Sequence, residues 1–179
     1  MQKTRPSKTM SSVLLACAVG GAASGCSRGP APVRQPSIDP AAAGREAIAL
    51  YDSDGNGRIA GPELDASPPL QAALARLDTD GDGGISAAEI AERVKAWKAM
   101  RTGLASVRCH VTLDGRPLAG AQLVLEPEPF LGDHIKAAAG ETNPFGDVAP
   151  TVAPEDLPDP SLPGGVHFGL YRVRISKPV

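Results

Sequence analysis

The chain has 179 residues, of which 18 are basic and 20 acidic, and its formal net charge at neutral pH is −2. Aromatic residues make up only 3% of the chain and the basic residues form no cluster, so we expect no nucleic-acid partner. Seven acidic residues fall in two short loops between positions 52 and 89, so the negative charge is concentrated there rather than spread over the surface.

The first 25 residues have the pattern of an export signal. Three basic residues and no acid occur in the first ten positions, and an apolar stretch at 13–23 follows that is too short to span a bilayer. The stretch ends in Ala23-Ser24-Gly25-Cys26, which resembles the lipobox of bacterial lipoproteins. That resemblance implies a signal peptide over residues 1–25, cleavage before Cys26 and lipid on Cys26. The alternative is an ordinary secretory leader that is cut nearby, which would give a secreted protein.

Residues 26–38 are rich in proline and lack apolar periodicity, so we expect a lipidated, flexible tether. The lipid on Cys26 would make the membrane a partner and would place the protein in the cell envelope, at the outer membrane or the cell surface. If Cys17 leaves with the leader and Cys26 carries lipid, Cys109 has no partner for an intramolecular disulfide.

Two acidic loops, beginning at Asp52 and Asp78, repeat almost residue for residue. Side chains with oxygen atoms occupy positions 1, 3 and 5 of each loop, glycine occupies position 6 and glutamate position 12. This spacing matches the calcium-loop pattern twice, although a single Asp/Gly-rich segment can also be a solvated turn. The predicted metal ligands are Asp52, Asp54, Asn56, the backbone carbonyl of Arg58 and Glu63 in the first loop, and Asp78, Asp80, Asp82, the backbone carbonyl of Gly84 and Glu89 in the second.

The chemistry of these residues suits calcium. Calcium takes about six to eight oxygen ligands in a geometry loose enough for a peptide loop to supply, and the final glutamate can close the site with both oxygens. Glycine at position 6 permits the sharp reversal that the loop needs. Both loops resemble the EF-hand family, and the resemblance implies a helical EF-hand pair over residues 39–103 with two bound calcium ions.

The flanking sequence predicts short helices around both loops. Asp39-Pro40 and Ser67-Pro68 each combine a capping side chain with proline at the first helical position. Ile59 and Ile85 are expected in facing loop strands. The helix that leaves the first loop can have only about one or two turns before Pro68 and the next proline stop it. Because so little helix can swing, we do not expect a large sensor-type opening.

After residue 103 the pattern changes from helical to alternating. Residues 107–113 alternate between apolar and polar, which predicts one half-buried strand, and Asp114-Gly115 predicts a turn before a second strand at 121–126. These segments, with a closing strand at 166–175, resemble the carboxypeptidase-regulatory-like, transthyretin-type β-sandwich. The resemblance implies a small antiparallel sandwich over residues 104–179 with a long proline-rich loop at about 127–163. The predicted fold class is therefore α+β.

No pattern in the chain predicts an enzyme. His110, His134 and His167 lie in no metalloprotease motif, and no nucleophile elbow, phosphate loop or dinucleotide fingerprint occurs. Cys109 and His110 are neighbours on a predicted strand, so their side chains should point to opposite faces.

These features predict a calcium-binding cell-envelope lipoprotein in which two calcium sites stabilise a tethered surface module. An envelope protein or the extracellular matrix would then be the further partner. The alternative is a calcium-dependent docking protein or sensor, with an assembly role like that of the dockerins, whose calcium loops are similarly close together.

Overall fold

The computed structural model describes residues 36–157 and 164–177, all of which belong to one compact unit. It contains α-helices and antiparallel sheets, so the predicted α+β class is confirmed. The predicted signal peptide, Cys26 and residues 26–35 of the tether lie outside the described residues. Among the helices of the described part, none has the length and apolarity that crossing a membrane requires.

Three α-helices and two short strands form the first half: α1 (Pro40–Tyr51), β1 (Arg58–Ala60), α2 (Pro68–Leu77), β2 (Gly84–Ser86) and α3 (Ala87–Ala99). Both predicted helix starts are confirmed. The Asp39 carboxylate accepts hydrogen bonds from the N–H groups of Ala41 (2.9 Å) and Ala42 (3.0 Å). The hydroxyl of Ser67 accepts from the N–H of Leu70 (3.3 Å). These side chains bind backbone N–H groups that have no partner within the helix.

Different elements follow the two loops. The first continues into a 3₁₀ helix, Gly61–Ala66, which is short as predicted but more tightly wound than an α-helix. The prolines at 68 and 69 follow at once and begin α2. The second loop enters α3, a helix of 13 residues that begins with a capping box between Ser86 and Glu89.

Strands β1 and β2 pair antiparallel and join the two loops. Ile59 lies opposite Ile85, and both side chains are fully buried, so the predicted facing arrangement is confirmed. Pairing places the two acidic loops side by side at one end of the helices. The apolar residues of α1, α2 and α3 form the core beneath them.

That core continues past residue 103. It includes Phe130, Leu131 and Ile135 from the second half of the chain, and the ring of Phe130 meets the ring of Tyr51 edge to face, with centroids 6.5 Å apart. The predicted domain boundary at 103/104 stays a prediction, but apolar contacts cross it. The half that carries the two acidic loops and the β part therefore share one apolar core.

The second half is built on a four-stranded antiparallel sheet. Its order is β10 (Tyr171–Ser176), β6 (Gln122–Pro127), β7 (Ala138–Glu141) and β9 (Thr151–Val152). Smaller pairs join β3 (Cys109–His110) to β8 (Asp147–Val148) and β4 (Thr112–Leu113) to β5 (Arg116–Pro117). The described 3₁₀ helices of this half are Pro129–Leu131 and Pro154–Asp156. The β-sandwich resemblance stays a prediction.

The prediction of one long loop at about 127–163 is wrong for much of that segment. Strands β7, β8 and β9 lie within it, and two of them belong to the main sheet. Prolines do not prevent this, because they stand at element ends: Pro127 ends β6, Pro150 lies between β8 and β9, and Pro129 and Pro154 begin 3₁₀ helices. At these positions the absence of a proline N–H removes few of the hydrogen bonds between strands.

The single strand predicted at 107–113 is also wrong, since the structure divides it at Val111. The Val111 N–H donates to the carbonyl of Gly146 (2.8 Å), and its own carbonyl accepts from the N–H of Leu118 (2.9 Å). The backbone changes partner there, so the alternation ends and the side chain of Leu113 is 60% exposed instead of buried. The predicted turn is confirmed, with positive φ at Asp114 (50°) and Gly115 (76°) between β4 and β5.

The predicted second strand and closing strand are found with changed limits. The strand expected at 121–126 is β6, and it pairs along its full length with β10. The strand expected at 166–175 is continuous only from Tyr171, while Val166 makes an isolated bridge to Ala105. Between Val166 and Tyr171 the chain is not strand: His167 is buried, and Phe168 is partly buried against the core that contains the helices.

Candidate metal centre

The first residue of the first loop organises the backbone around it. One oxygen of Asp52 accepts hydrogen bonds from the N–H groups of Gly55 (2.8 Å) and Asn56 (3.1 Å), and the other accepts from Gly57 (2.8 Å). A carboxylate that accepts three backbone N–H groups holds the loop in a closed turn. The loop therefore wraps around the Asp52 side chain.

The second loop repeats this arrangement. One oxygen of Asp78 accepts from Gly81 (2.7 Å) and Asp82 (3.1 Å), and the other accepts from Gly83 (3.0 Å). The same three loop positions donate in both loops. The sequence repeat is thus a repeat of conformation as well as of residue type.

Glycine is needed at two positions of each loop. The backbone has positive φ at Gly55 (75°) and Gly57 (88°), and at Gly81 (77°) and Gly83 (83°). Side chains other than hydrogen are disfavoured in this left-handed region. The reversal at position 6 that the sequence predicted is present in both loops, and position 4 adopts the same region.

The final glutamate of each loop reaches back to its beginning. The carboxylate of Glu63 accepts from the N–H (2.7 Å) and hydroxyl (2.9 Å) of Ser53, and from the N–H of Ala60 (3.0 Å). Glu89 accepts in the same way from the N–H groups of Thr79 (2.7 Å) and Ser86 (2.8 Å). Each glutamate therefore joins the two ends of its loop.

These donors favour the ionised form of both glutamates. The hydrogen bond from the Ala60 N–H, followed by those from Ser53, lowers the pKa of Glu63 to about 2. Burial would raise the pKa of Glu89, but the hydrogen bonds from the Ser86 and Thr79 N–H groups outweigh burial and lower the pKa below its usual value. Both side chains are anionic near neutral pH.

The carboxylates gather into two sets of oxygen ligands. In the first loop, ligand oxygens from Asp52, Asp54 and Glu63 all lie within 4.8 Å of one another. In the second loop, the corresponding set is Asp78, Asp80 and Asp82, while Glu89 is not part of it. Oxygens on opposite sides of a calcium ion, each about 2.4 Å from it, are about 4.8 Å apart, so each set is close enough together to hold one ion.

The remaining predicted ligands have structural contacts of their own. The side-chain Nδ2 of Asn56 donates to the carboxylate of Asp54 (2.9 Å), and the side-chain Oδ1 of Asn56 accepts from the Arg58 N–H (2.9 Å). Arg58 and Gly84 are the first residues of β1 and β2, opposite Ser86 and Ala60 respectively. Position 7 of each loop is therefore the point at which the loop becomes strand.

Sequence reasoning missed one charged contact at this site. The guanidinium of Arg58 forms an ion pair with the carboxylate of Asp82, so that position 7 of the first loop contacts position 5 of the second. Only the backbone of Arg58 was predicted to contribute. The two-loop repeat could have indicated the contact, because pairing of β1 with β2 brings these positions together.

The histidines lie away from both carboxylate sets. His110 is exposed, with its Nδ1 2.9 Å from the carboxylate of Asp147, and His134 is exposed. His167 is buried, with its Nδ1 2.8 Å from the carbonyl of Gly103. Cys109 packs against the β-part core while His110 faces solvent, as expected for strand neighbours.

Comparison of this chain with protein-family models, curated proteins and solved structures gives no significant match. The geometry of the site and the sequence pattern therefore carry the functional argument.

Proposed function

We propose that this protein binds two calcium ions, one in each acidic loop, and that it is an EF-hand-like pair. The observation that carries the proposal is the repeated closure of both loops around an aspartate, with three carboxylates gathered in each. In the first loop Asp52, Asp54 and Glu63 would hold the ion, with Asn56 and the Arg58 carbonyl. In the second, Asp78, Asp80 and Asp82 would hold it, with the Gly84 carbonyl and Glu89.

The donor set favours calcium over other metals. Each described set consists of carboxylate oxygens, without the nitrogen or sulfur ligands that zinc and copper prefer. Magnesium demands near-ideal octahedral geometry and keeps several waters, whereas calcium accepts the irregular oxygen arrangement of a peptide loop. Outside a cell calcium is abundant, so sites with an affinity of about 10⁻⁴ to 10⁻³ M would be filled.

The bound ions would stabilise the folded chain. Two like charges about 4 Å apart repel by about 1 to 4 kcal/mol, depending on the surrounding dielectric, and each loop gathers three carboxylates. A divalent cation offsets that repulsion. Because Tyr51, just before the first loop, packs on Phe130 of the β part, the stabilisation would reach both halves. This packing supports a structural role rather than a sensor that opens.

The test is calcium removal and replacement. We expect isothermal titration of the metal-free mature protein to show two calcium ions per chain, and chelation to lower its melting temperature, since binding to the native state alone adds stability. An equal concentration of magnesium should restore the melting temperature less well. Unchanged melting with and without chelator would reject the proposal.

Single substitutions assign the two sites. Glu63→Gln and Glu89→Gln keep the size of the side chain but remove one ligand charge, and each should weaken one calcium site by about tenfold or more. Glu126→Gln, outside both loops, is the matched control and should leave two sites. If neither loop variant changes calcium uptake, the ligand assignment is incorrect.

We also propose that the protein is an envelope lipoprotein anchored through Cys26. The sequence supports this through the basic start, the short apolar stretch and the lipobox-like end of the leader. Mass spectrometry of the mature N-terminus from the native host tests it. A diacylated or triacylated Cys26 is expected, and an unmodified new terminus would mean a secreted protein.

A further inference from the structure

The ion pair between Arg58 and Asp82 joins the two loops. Arg58 stands at position 7 of the first loop, where its backbone is the proposed ligand, and its side chain crosses to the second loop. One oxygen of Asp82 accepts the Gly84 N–H at 2.9 Å, and the other pairs with the guanidinium. Arg58 therefore engages the Asp82 oxygen that does not accept the Gly84 N–H.

Gly84 provides the space for this crossing. A Cβ added at Gly84 would lie 2.8 Å from Cδ and 3.3 Å from Cγ of Arg58, which is too close for the side chain to stay where it is. Gly84 is not among the glycines of positive φ, so its backbone does not require glycine. The missing side chain is thus explained by the arginine that lies over it.

The second loop has no residue at position 7 that could make the same contact to position 5 of the first loop. Position 7 of the second loop is Gly84, which has no side chain to reach the first loop, and position 5 of the first loop is the neutral Asn56. Among the described residues, the ion pair of a basic side chain with a loop carboxylate is that of Arg58 with Asp82, in the second loop. The two loops are alike in backbone and unequal in charge.

We propose that Arg58 is an internal competitor for the second calcium site, so that this site binds calcium more weakly than it would without the guanidinium. The inference rests on the proposed calcium binding. Asp82 belongs to the carboxylate set of the second loop and is also the ion-pair partner of Arg58, so a calcium ion and the guanidinium would compete for the same carboxylate.

The experiment measures second-site affinity by calcium titration of the full mature chain, with the Glu63→Gln change included to weaken the first site. The pair is partly exposed, with side-chain exposures of 44% and 38%, so its contribution is modest. We expect Arg58→Gln to raise the affinity of the second site by about 2- to 5-fold, with the gain shrinking at high salt.

Two further variants distinguish the effect of the Arg58–Asp82 contact on affinity from the effect of net charge. Arg76→Gln removes the same charge from an exposed position two residues before Asp78 and should raise the affinity by less than Arg58→Gln does. Gly84→Ala keeps the charge but displaces the arginine side chain, and should raise the affinity as Arg58→Gln does.

The outcomes are distinguishable. Equal gains from Arg58→Gln and Arg76→Gln would mean that only net charge matters, and a loss of affinity in Arg58→Gln would mean that the guanidinium supports Asp82. Either result overturns the inference while leaving calcium binding intact. Absence of calcium uptake by the unmodified chain would instead reject the proposed function itself.

Discussion

Tyr51 lies between the first loop and the interior, and its hydroxyl contacts a buried carboxylate. Its hydroxyl donates a hydrogen bond to Glu128, which is only 2% exposed and also accepts from the hydroxyl of Ser67 at 2.9 Å. Burial, and then the hydrogen bond to Glu128, raise the pKa of Tyr51 to about 12. One residue thus connects the loop that begins at Asp52 to a polar group in the core.

This raised pKa predicts how stability depends on alkaline pH. The pKa of a tyrosine in the unfolded chain is about 10, so as pH rises above that value the unfolded state loses the Tyr51 proton before the folded state does. The contribution of Tyr51 is complete below about pH 10 and declines as pH rises toward the folded-state pKa of about 12. Tyr51→Phe should therefore lose stability less steeply over this interval.

Urea unfolding of both proteins at several pH values between about 9 and 12 measures the two slopes. Tyr171, whose pKa is also raised by burial, is present in both and gives the same background. Parallel slopes for Tyr51→Phe and the unmodified chain would contradict the prediction.

Among the elements, α1 and the start of α3 approach each other closely at Gly44. A Cβ at Gly44, in the middle of α1, would lie 2.2 Å from the backbone oxygen of Ala87. Glycine within a helix costs about 1 kcal/mol relative to alanine, so its presence needs a packing reason. The near-contact of the two backbones supplies that reason, and it fixes how the helix that enters the first loop lies against the helix that leaves the second.

Gly44→Ala should therefore destabilise the protein although alanine is the better helix former. The added methyl group meets backbone that cannot move aside, and overpacking of this kind costs about 1 to 3 kcal/mol. Chemical denaturation in saturating calcium measures the change. As a control, Ala41→Gly at an exposed position of α1 should cost only the propensity difference. A gain in stability in Gly44→Ala would show that the helices are not packed this closely.

For the molecule as a whole, Glu128 joins the loop half to the β half. Its partners are Tyr51 at the end of α1 and Ser67 at the cap of α2, while its own N–H donates to the carbonyl of Leu170 at 2.9 Å. Phe130 and Leu131, a short way along the chain, enter the same apolar core as the helices. The sheet and the loop pair are thus held together by a polar contact surrounded by apolar packing.

Glu128→Ala should destabilise the whole chain by about 1 to 3 kcal/mol, because it removes the acceptor of the buried Ser67 hydroxyl and of the part-buried Tyr51 hydroxyl. Glu128→Gln keeps an acceptor and should cost less. Glu126→Ala is the matched control: its ion pair with Arg174 is exposed and should contribute about 0 to 1 kcal/mol. Urea unfolding of the calcium-loaded protein provides the comparison, and equal losses in Glu126→Ala and Glu128→Ala would argue against the link.

Local chemistry explains why the loops could be predicted from the sequence. The loop contacts described above, from Asp52 to Glu63 and from Asp78 to Glu89, lie within twelve consecutive residues, so spacing alone specifies them. The helix starts at Asp39 and Ser67 depend on equally short-range hydrogen bonds. The pairing of Ile59 with Ile85 followed because both loops have the same internal register.

The strands of the β part depend on contacts between residues that are distant in sequence, so only the tertiary structure determined which strands form and how they pair. Strands β7 and β9 gain their partners from β6 and from each other, which no local pattern in a proline-rich segment indicates. Val111 divides a regular alternation because its N–H donates to the carbonyl of Gly146 while its carbonyl accepts from the N–H of Leu118. The Arg58–Asp82 and Tyr51–Glu128 contacts join residues 24 and 77 positions apart. The sequence by itself determined the two acidic loops, because their hydrogen bonds are local, whereas only folding could decide which distant groups came to lie against them.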